Sequence, residues 1–126
     1  MSALHLSDGE WKLMNLLWDA APGALTIGAL VDALKDDTGW TKATVNIMLT
    51  RLAEKGAVGV DASGRAKLFT PLISREQAVR QEANNALSRV RGGAGLLLSA
   101  MAERCELSDA EIEDLYRILK EGRGRR

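Results

Sequence analysis

Short polar and basic side chains are concentrated between residues 41 and 67, where they offer hydrogen bonding and charge pairing. Threonine and asparagine can bond phosphate oxygens or base edges, and lysine and arginine can pair with phosphates. Positions 40–70 hold Lys42, Arg51, Lys55, Arg65 and Lys67 against Glu54 and Asp61, whereas the chain's 17 basic and 17 acidic residues cancel. The candidate nucleic-acid contacts are Thr41, Lys42, Ala43, Thr44, Asn46, Ile47, Thr50, Arg51, Lys55, Arg65 and Lys67.

An apolar residue, Ile47, interrupts the polar side of this stretch. At 3.6 residues per turn, Ile47 and Ala43 fall opposite the stripe that faces the core. Thymine alone shows a methyl group in the major groove, and apolar side chains are its natural contacts. We therefore expect a thymine opposite Ile47; the alternative is a rotated helix in which Ile47 packs on the second helix. The core-facing stripe is Val45, Met48, Leu49 and Leu52.

The elements that position these residues can be placed from caps and periodicity. Three S-x-x-E/Q capping boxes predict helix starts, and they begin at Ser7, Ser74 and Ser108. Alternating apolar residues around Gly64 predict a β-hairpin with Gly64 in its turn and Pro71 at its end. The predicted helices are 8–20, 27–37, 42–55, 75–91, 95–105 and 109–121, and the predicted strands are 57–60 and 65–70.

This order predicts a mainly α fold with a small β-hairpin. Residues 1–72 form an N-terminal winged helix-turn-helix, in which the third helix enters the DNA major groove. Arg65 and Lys67 alternate to one face of the second strand, where they can present cations to phosphates. Residues 73–126 form a C-terminal helical dimerisation segment.

The dimerisation segment carries more apolar surface than three short helices can bury by themselves. The economical partner for these stripes is the same segment of a second chain, which predicts a homodimer. The candidate dimerisation residues are Val79, Leu87, Leu97, Leu98, Met101, Ile112, Leu115 and Leu119.

Several classes of protein are disfavoured. The chain has no apolar run near 18 residues and no basic, then apolar N-terminal leader, so we expect a cytoplasmic protein without a membrane span. With His5 and Cys105 as the single histidine and cysteine, neither a disulfide nor a transition-metal site is expected within one chain. No nucleophile–histidine pair or phosphate-binding loop is recognisable, so we expect no enzyme and no cofactor.

Two other interpretations compete with DNA binding. A helix with threonine, asparagine and lysine outward is usually only a solvated face, and the basic hairpin in the correct order is what favours DNA. Some winged helices bind proteins instead, so a helical adaptor without specific DNA binding is the alternative function.

The sequence also resembles the penicillinase-repressor (BlaI/MecI/CopY-type) family of winged-helix transcriptional repressors. The matching segments are LSDGEWKLMNLLWDAAP, TIGALVDAL, GWTKATVNIMLTRLAEKGAV, GRAKLFTPLIS and LSDAEIEDLYRILKE. The resemblance implies a homodimer that binds double-stranded DNA at an inverted-repeat promoter operator and blocks transcription. It also implies a sensor-linked protease as a further partner.

The chain departs from this family at three places. Ile47 stands where the family often has threonine, and Ala43 where it frequently has lysine, so the operator sequence does not carry over. Ala100 and Met101 stand where β-lactam-linked members are cleaved at an Asn-Phe pair. Cys105 stands alone, whereas copper-responsive relatives end in a cysteine cluster.

Overall fold

The computed structural model describes residues 4–90, 92–104 and 108–124. Within these ranges the chain is mostly helical and has one two-stranded antiparallel sheet, as the sequence predicts. Cys105 lies outside the described residues. The elements are α1 (Asp8–Ala20), α2 (Ile27–Ala33), α3 (Lys42–Glu54), β1 (Val58–Asp61), β2 (Leu68–Pro71), α4 (Arg75–Arg89), α5 (Ala94–Arg104) and α6 (Asp109–Gly124).

All three predicted capping boxes are formed. In each, the serine hydroxyl accepts a hydrogen bond from the backbone three residues later, and the serine backbone N–H donates to the acidic or amide side chain there. The boxes satisfy N–H groups that a helix start leaves without partners. Their residues are Ser7 with Glu10, Ser74 with Gln77, and Ser108 with Glu111.

Helix α2 is shorter than predicted, ending at Ala33 instead of residue 37. The Leu34 carbonyl accepts hydrogen bonds from the backbone N–H groups of Thr38 and Gly39 and from the Thr38 hydroxyl. Gly39 has a φ of 65°, a conformation that favours glycine. These bonds close a tight turn that carries the chain from α2 into α3.

The core of the winged helix is made by side chains from α1, α2, α3 and the hairpin. The inner sides of α1 and α3 approach closely at Gly9, where a Cβ atom would overlap the side chain of Met48 and touch Trp40. The side chains of Met48 and Trp40 therefore pack directly against Gly9. The fully buried larger side chains are Leu13, Met14, Leu17, Leu30, Val45, Leu49 and Leu52.

The hairpin differs from its prediction in where its strands end. Strand β1 pairs with β2 in a register that joins Val58 to Pro71 and Asp61 to Leu68, so Pro71 is a strand residue. Residues 62–67 form the connecting loop. Gly64 is not among the glycines with positive φ; the Asp61 carboxylate instead accepts hydrogen bonds from the backbone and hydroxyl of Ser63.

A short bridge that the sequence did not predict also holds β2. Leu25, just before α2, exchanges two backbone hydrogen bonds with Phe69, at 3.1 and 2.8 Å. Phe69 is buried in the core. The second strand is therefore paired on both sides at Phe69, which ties the hairpin to the helical part of the domain.

The described residues divide into two compact units, one up to Asn85 and one from Ala86 onward. The first unit thus extends beyond the predicted domain boundary at residue 72 and includes the first part of α4. The indole N–H of Trp18 donates to the Ile73 carbonyl at 2.9 Å, and Arg75 stacks on Trp18 and pairs with Asp19. These contacts fasten the start of α4 to α1.

No helix in the described part of the chain is both long enough and apolar enough to cross a bilayer.

Candidate nucleic-acid interface

Helix α3 turns one side into the core and the other to solvent. Val45, Leu49 and Leu52 are buried, and Met48 is half-buried against them. Ile47 lies on the other side with 53% of its surface exposed, so the alternative in which it packs on the second helix is excluded. The other predicted contacts exposed on this helix are Lys42, Ala43, Asn46, Thr50 and Arg51.

The start of α3 is capped by a predicted contact residue. The Thr41 hydroxyl accepts a hydrogen bond from the backbone N–H of Thr44 and donates one to the Thr44 hydroxyl, both at 3.2 Å. The hydroxyl proton of Thr41 is therefore donated within the chain, to Thr44. Thr44 is half-buried, and its own hydroxyl proton can still reach an outside acceptor.

Thr50, near the middle of the exposed face, also bonds within the helix. Its hydroxyl donates to the Asn46 carbonyl at 2.8 Å. A hydroxyl has one proton and two lone pairs, so Thr50 in this rotamer can accept a hydrogen bond from a base but cannot donate to a phosphate.

A cleft of about 510 Å³ separates the exposed side of α3 from the loop of the hairpin. Lys42 from α3 and Lys67 from the loop both line this cleft. Two lysines flanking a cleft provide positive charge where a polyanion can enter. The lining residues are Thr26, Ile27, Lys42, Ala43, Asn46, Ala66 and Lys67.

Arg65 and Lys67 are not strand residues, contrary to the sequence-based expectation. Both lie in loop 62–67, before β2 begins at Leu68, and both are exposed. Strand alternation therefore cannot fix their directions. The loop start is held by the bonds from Ser63 to Asp61, which keep the pKa of that carboxyl below its usual value.

Lys55 has a different role from the one expected of it. Its ammonium donates to the Glu10 carboxylate at 2.6 Å and to the His5 carbonyl at 2.7 Å. These bonds direct Lys55 toward α1 and the N-terminal segment, so it does not belong to the exposed face of α3. With Lys55 neutralised by Glu10, the local positive excess falls from three to two.

Burial of the Glu10 side chain would raise its pKa. The hydrogen bond from Lys55, the backbone N–H of Ser7 and the Lys55 charge together outweigh this effect, so the pKa of Glu10 is lowered. Glu10 is therefore in its charged carboxylate form although its side chain is buried. The sequence carried a signal for this burial, because helical spacing places Glu10 on the core-facing side of α1 with Leu13, Met14 and Leu17.

The predicted dimerisation residues form exposed apolar surface in the single chain. For six of these eight residues about half of the surface is accessible, for example 44% of Leu115. Leu97 is half-buried, and the side chain of Leu119 lies outside the described residues. Val79 belongs to the first compact unit, and Leu87 to the second. The exposed members are Val79, Leu87, Leu98, Met101, Ile112 and Leu115.

Two known regulatory proteins are similar in sequence to this chain over more than nine-tenths of its length. A 28% identical relative, the penicillinase repressor of Bacillus licheniformis, aligns with 97% of this chain and 94% of its own length. The methicillin resistance regulatory protein MecI of Staphylococcus aureus (strain N315) is 24% identical over 91% of this chain and 93% of its own.

Two solved structures are similar to part of this chain. The solution structure of the DNA-binding domain of the repressor BlaI matches 60% of this chain and 90% of its own, with a TM-score of 0.52 and 26% identity. Bacillus licheniformis BlaI, as a monomeric form bound to the blaP half-operator, covers the same shares with a TM-score of 0.50 and 26% identity. The family model described as penicillinase repressor matches residues 6–121. The chain belongs to the penicillinase repressor family, which consists of transcriptional repressors and not of enzymes.

Proposed function

We propose that this protein is a sequence-specific DNA-binding repressor that acts as a homodimer at an inverted-repeat operator. The observation that carries the proposal is the exposed side of α3, which shares one cleft with the loop of the hairpin, lined by Lys42 and Lys67 among others. The relative with a solved half-operator complex supports DNA as the partner, since the match covers 90% of that relative's chain.

DNA binding divides between two kinds of contact in this proposal. The side chains of Ala43, Asn46 and Ile47 face base edges in the major groove, while Lys42, Arg65 and Lys67 contact phosphates. Thr41 and Thr44 lie at the helix start, where the backbone N–H groups of a helix also favour phosphate. Arg51 can reach a guanine or a phosphate, and Lys55 is omitted because it pairs with Glu10.

The homodimer is supported by the exposed apolar side chains of α4, α5 and α6. A second copy of this segment is the partner proposed to cover these side chains. A two-fold dimer places two equal DNA-binding surfaces on two half-sites, which is why the operator is proposed to be an inverted repeat.

A sensor-linked protease is the further partner that we propose. The resemblance supports such a partner, and Ala100 and Met101 lie within α5 and are both exposed. They replace the Asn-Phe pair at which some family members are cleaved, so cleavage at this particular bond does not carry over. Mass spectrometry of the protein from induced cells tests this, with intact chain under every inducing condition as the contrary result.

Electrophoretic shift with genomic fragments at moderate salt separates a repressor from a winged-helix adaptor that binds proteins. The repressor retards a few fragments at protein concentrations that leave the rest free. An adaptor retards no fragment, or all of them equally, and that result would overturn the proposal.

A further inference from the structure

We infer that Ile47 and Ala43 form an apolar contact surface that recognises thymine methyl groups in the operator. The inference rests on the proposed function, because it requires the exposed side of α3 to enter the major groove. The base selected by this side of α3 is thymine, because no other base presents a C5 methyl group in the major groove.

Ile47 is exposed on the side of α3 that lies opposite the core. Its 53% exposure contrasts with the complete burial of Val45 two residues before it. Ala43 is also exposed, lies one helical turn earlier, and lines the cleft between α3 and the hairpin loop. Residues four apart on a helix are neighbours on its surface, so the two side chains form one continuous apolar strip.

The polar neighbours of this strip have limited capacity to select bases themselves. The Thr50 proton is donated to the Asn46 carbonyl, and the Thr41 proton to the Thr44 hydroxyl. Asn46 keeps a side-chain amide able to bond adenine. Because two hydroxyl protons are used within the helix, the apolar strip adds to the selectivity that Asn46 and Arg51 can supply.

A thymine is therefore expected opposite Ile47 in each half-site. Uracil pairs identically and lacks only the methyl group, so exchanging thymine for uracil isolates this one contact. Burying one carbon corresponds to a factor of about 4 in affinity. Ala43 has a smaller side chain and is expected to add a weaker preference at a neighbouring base pair.

The experiment begins by selecting bound sequences from random duplex DNA with the unaltered protein. In the best site, each thymine of one half-site is then replaced singly by uracil, and affinity is measured by titration. One position should lose about fourfold with the unaltered protein and nothing with Ile47→Ala. Ile47→Val should show an intermediate loss at that same position.

Val60→Ala is the matched control, because Val60 is an aliphatic residue of β1 with 46% exposure and does not line the cleft. It should keep the full uracil effect. The inference is overturned if no thymine shows the effect, or if Ile47→Ala retains it. A strongly lowered melting temperature of Ile47→Ala also overturns it, since that would place Ile47 in the core.

The two measurements distinguish failure of the Ile47 contact from failure of specific DNA binding. A protein that selects a defined site without a uracil effect refutes the role of Ile47 and leaves the repressor function standing. A protein that enriches no sequence at all refutes specific DNA binding, and the inference about Ile47 fails with it.

Discussion

The ammonium of Lys55 lies 2.6 Å from the carboxylate of Glu10, joining the end of α3 to the first turn of α1. Glu10 is 3% exposed, the one charged residue buried in the described part of the chain. The same carboxylate oxygen accepts the backbone N–H of Ser7 at 2.8 Å. A buried charge is tolerated when it is paired and hydrogen-bonded, so Lys55 helps to hold α3 with its polar side outward.

Lys55→Met should destabilise the fold by removing the partner of a buried carboxylate. We expect a loss of about 2 kcal/mol, between the value for an exposed ion pair and that for a fully buried one, because Lys55 itself is partly exposed. Urea unfolding followed by circular dichroism measures this loss. The dependence of DNA affinity on salt should not change, since Lys55 pairs with Glu10 and is not among the proposed phosphate contacts.

Lys12→Met is the matched control for this change. Lys12 pairs with Asp37 at the same distance of 2.6 Å, but both side chains are largely exposed. Its loss should therefore stay below about 1 kcal/mol. Equal losses for the two variants would show that burial of Glu10 contributes nothing to the Lys55 pair.

Glu10→Gln should change how stability depends on pH. The pKa of Glu10 in the folded chain lies below its ordinary value of 4.5, so the unfolded chain binds its proton more readily. The stabilisation is complete above about 4.5 and is lost as pH falls through the folded pKa. Glutamine can keep the capping box with Ser7 but carries no charge.

The stability difference between the unaltered protein and Glu10→Gln should therefore shrink below pH 4.5. Denaturant unfolding at a series of pH values provides the measurement. The pKa values of Asp61 and Glu111 are also lowered by hydrogen bonds, but both groups are present in both proteins and cancel in the difference. A difference that is the same at every pH would contradict the assignment.

Local signals in the sequence predicted most of the helical frame. The capping boxes at Ser7, Ser74 and Ser108 are formed, and α1 has the predicted bounds. The direction in which Ile47 points followed from helical period alone, because burial of one stripe determines what lies opposite. These features depend on residues within a few positions of each other.

Features that depend on distant residues were missed. The Leu25–Phe69 bridge and the Lys55–Glu10 pair each join segments more than 40 residues apart, and single-sequence periodicity carries no information about such pairs. The position of Arg65 was missed for another reason. The turn was predicted at residues 61–64, around Gly64, whereas the connecting loop spans residues 62–67, so its later end leaves Arg65 outside the strand.

Leu115→Asp should convert the proposed dimer to a monomer. Leu115 is 44% exposed on the apolar side of α6, and an aspartate there would place an unpaired charge inside the interface. The expected weakening of several kcal/mol dissociates a micromolar dimer. Sedimentation equilibrium at micromolar concentration measures it.

Ala110→Asp is its control, because helical spacing puts Ala110 on the opposite side of α6, where it is exposed. This variant should sediment like the unaltered protein. A Leu115→Asp protein that stays dimeric would remove this side of α6 from the interface, and an unaltered protein that is monomeric would refute the homodimer itself.

Arg65→Ala and Lys67→Ala should weaken binding to all DNA sequences about equally. Both cations lie in loop 62–67, and Lys67 also lines the cleft beside α3. Removing one cation from a phosphate makes the negative slope of log affinity against log salt less steep by roughly 0.9, so a dimer with two altered copies should show a slope less steep by about 1.8.

Arg80→Ala is the control, since Arg80 is an exposed cation on α4 that pairs with Glu76. Titrations at several salt concentrations, on a selected site and an unrelated duplex, measure the slopes. Arg80→Ala should leave the slope unchanged, and unchanged slopes for both loop variants would remove the loop from the proposed phosphate contacts.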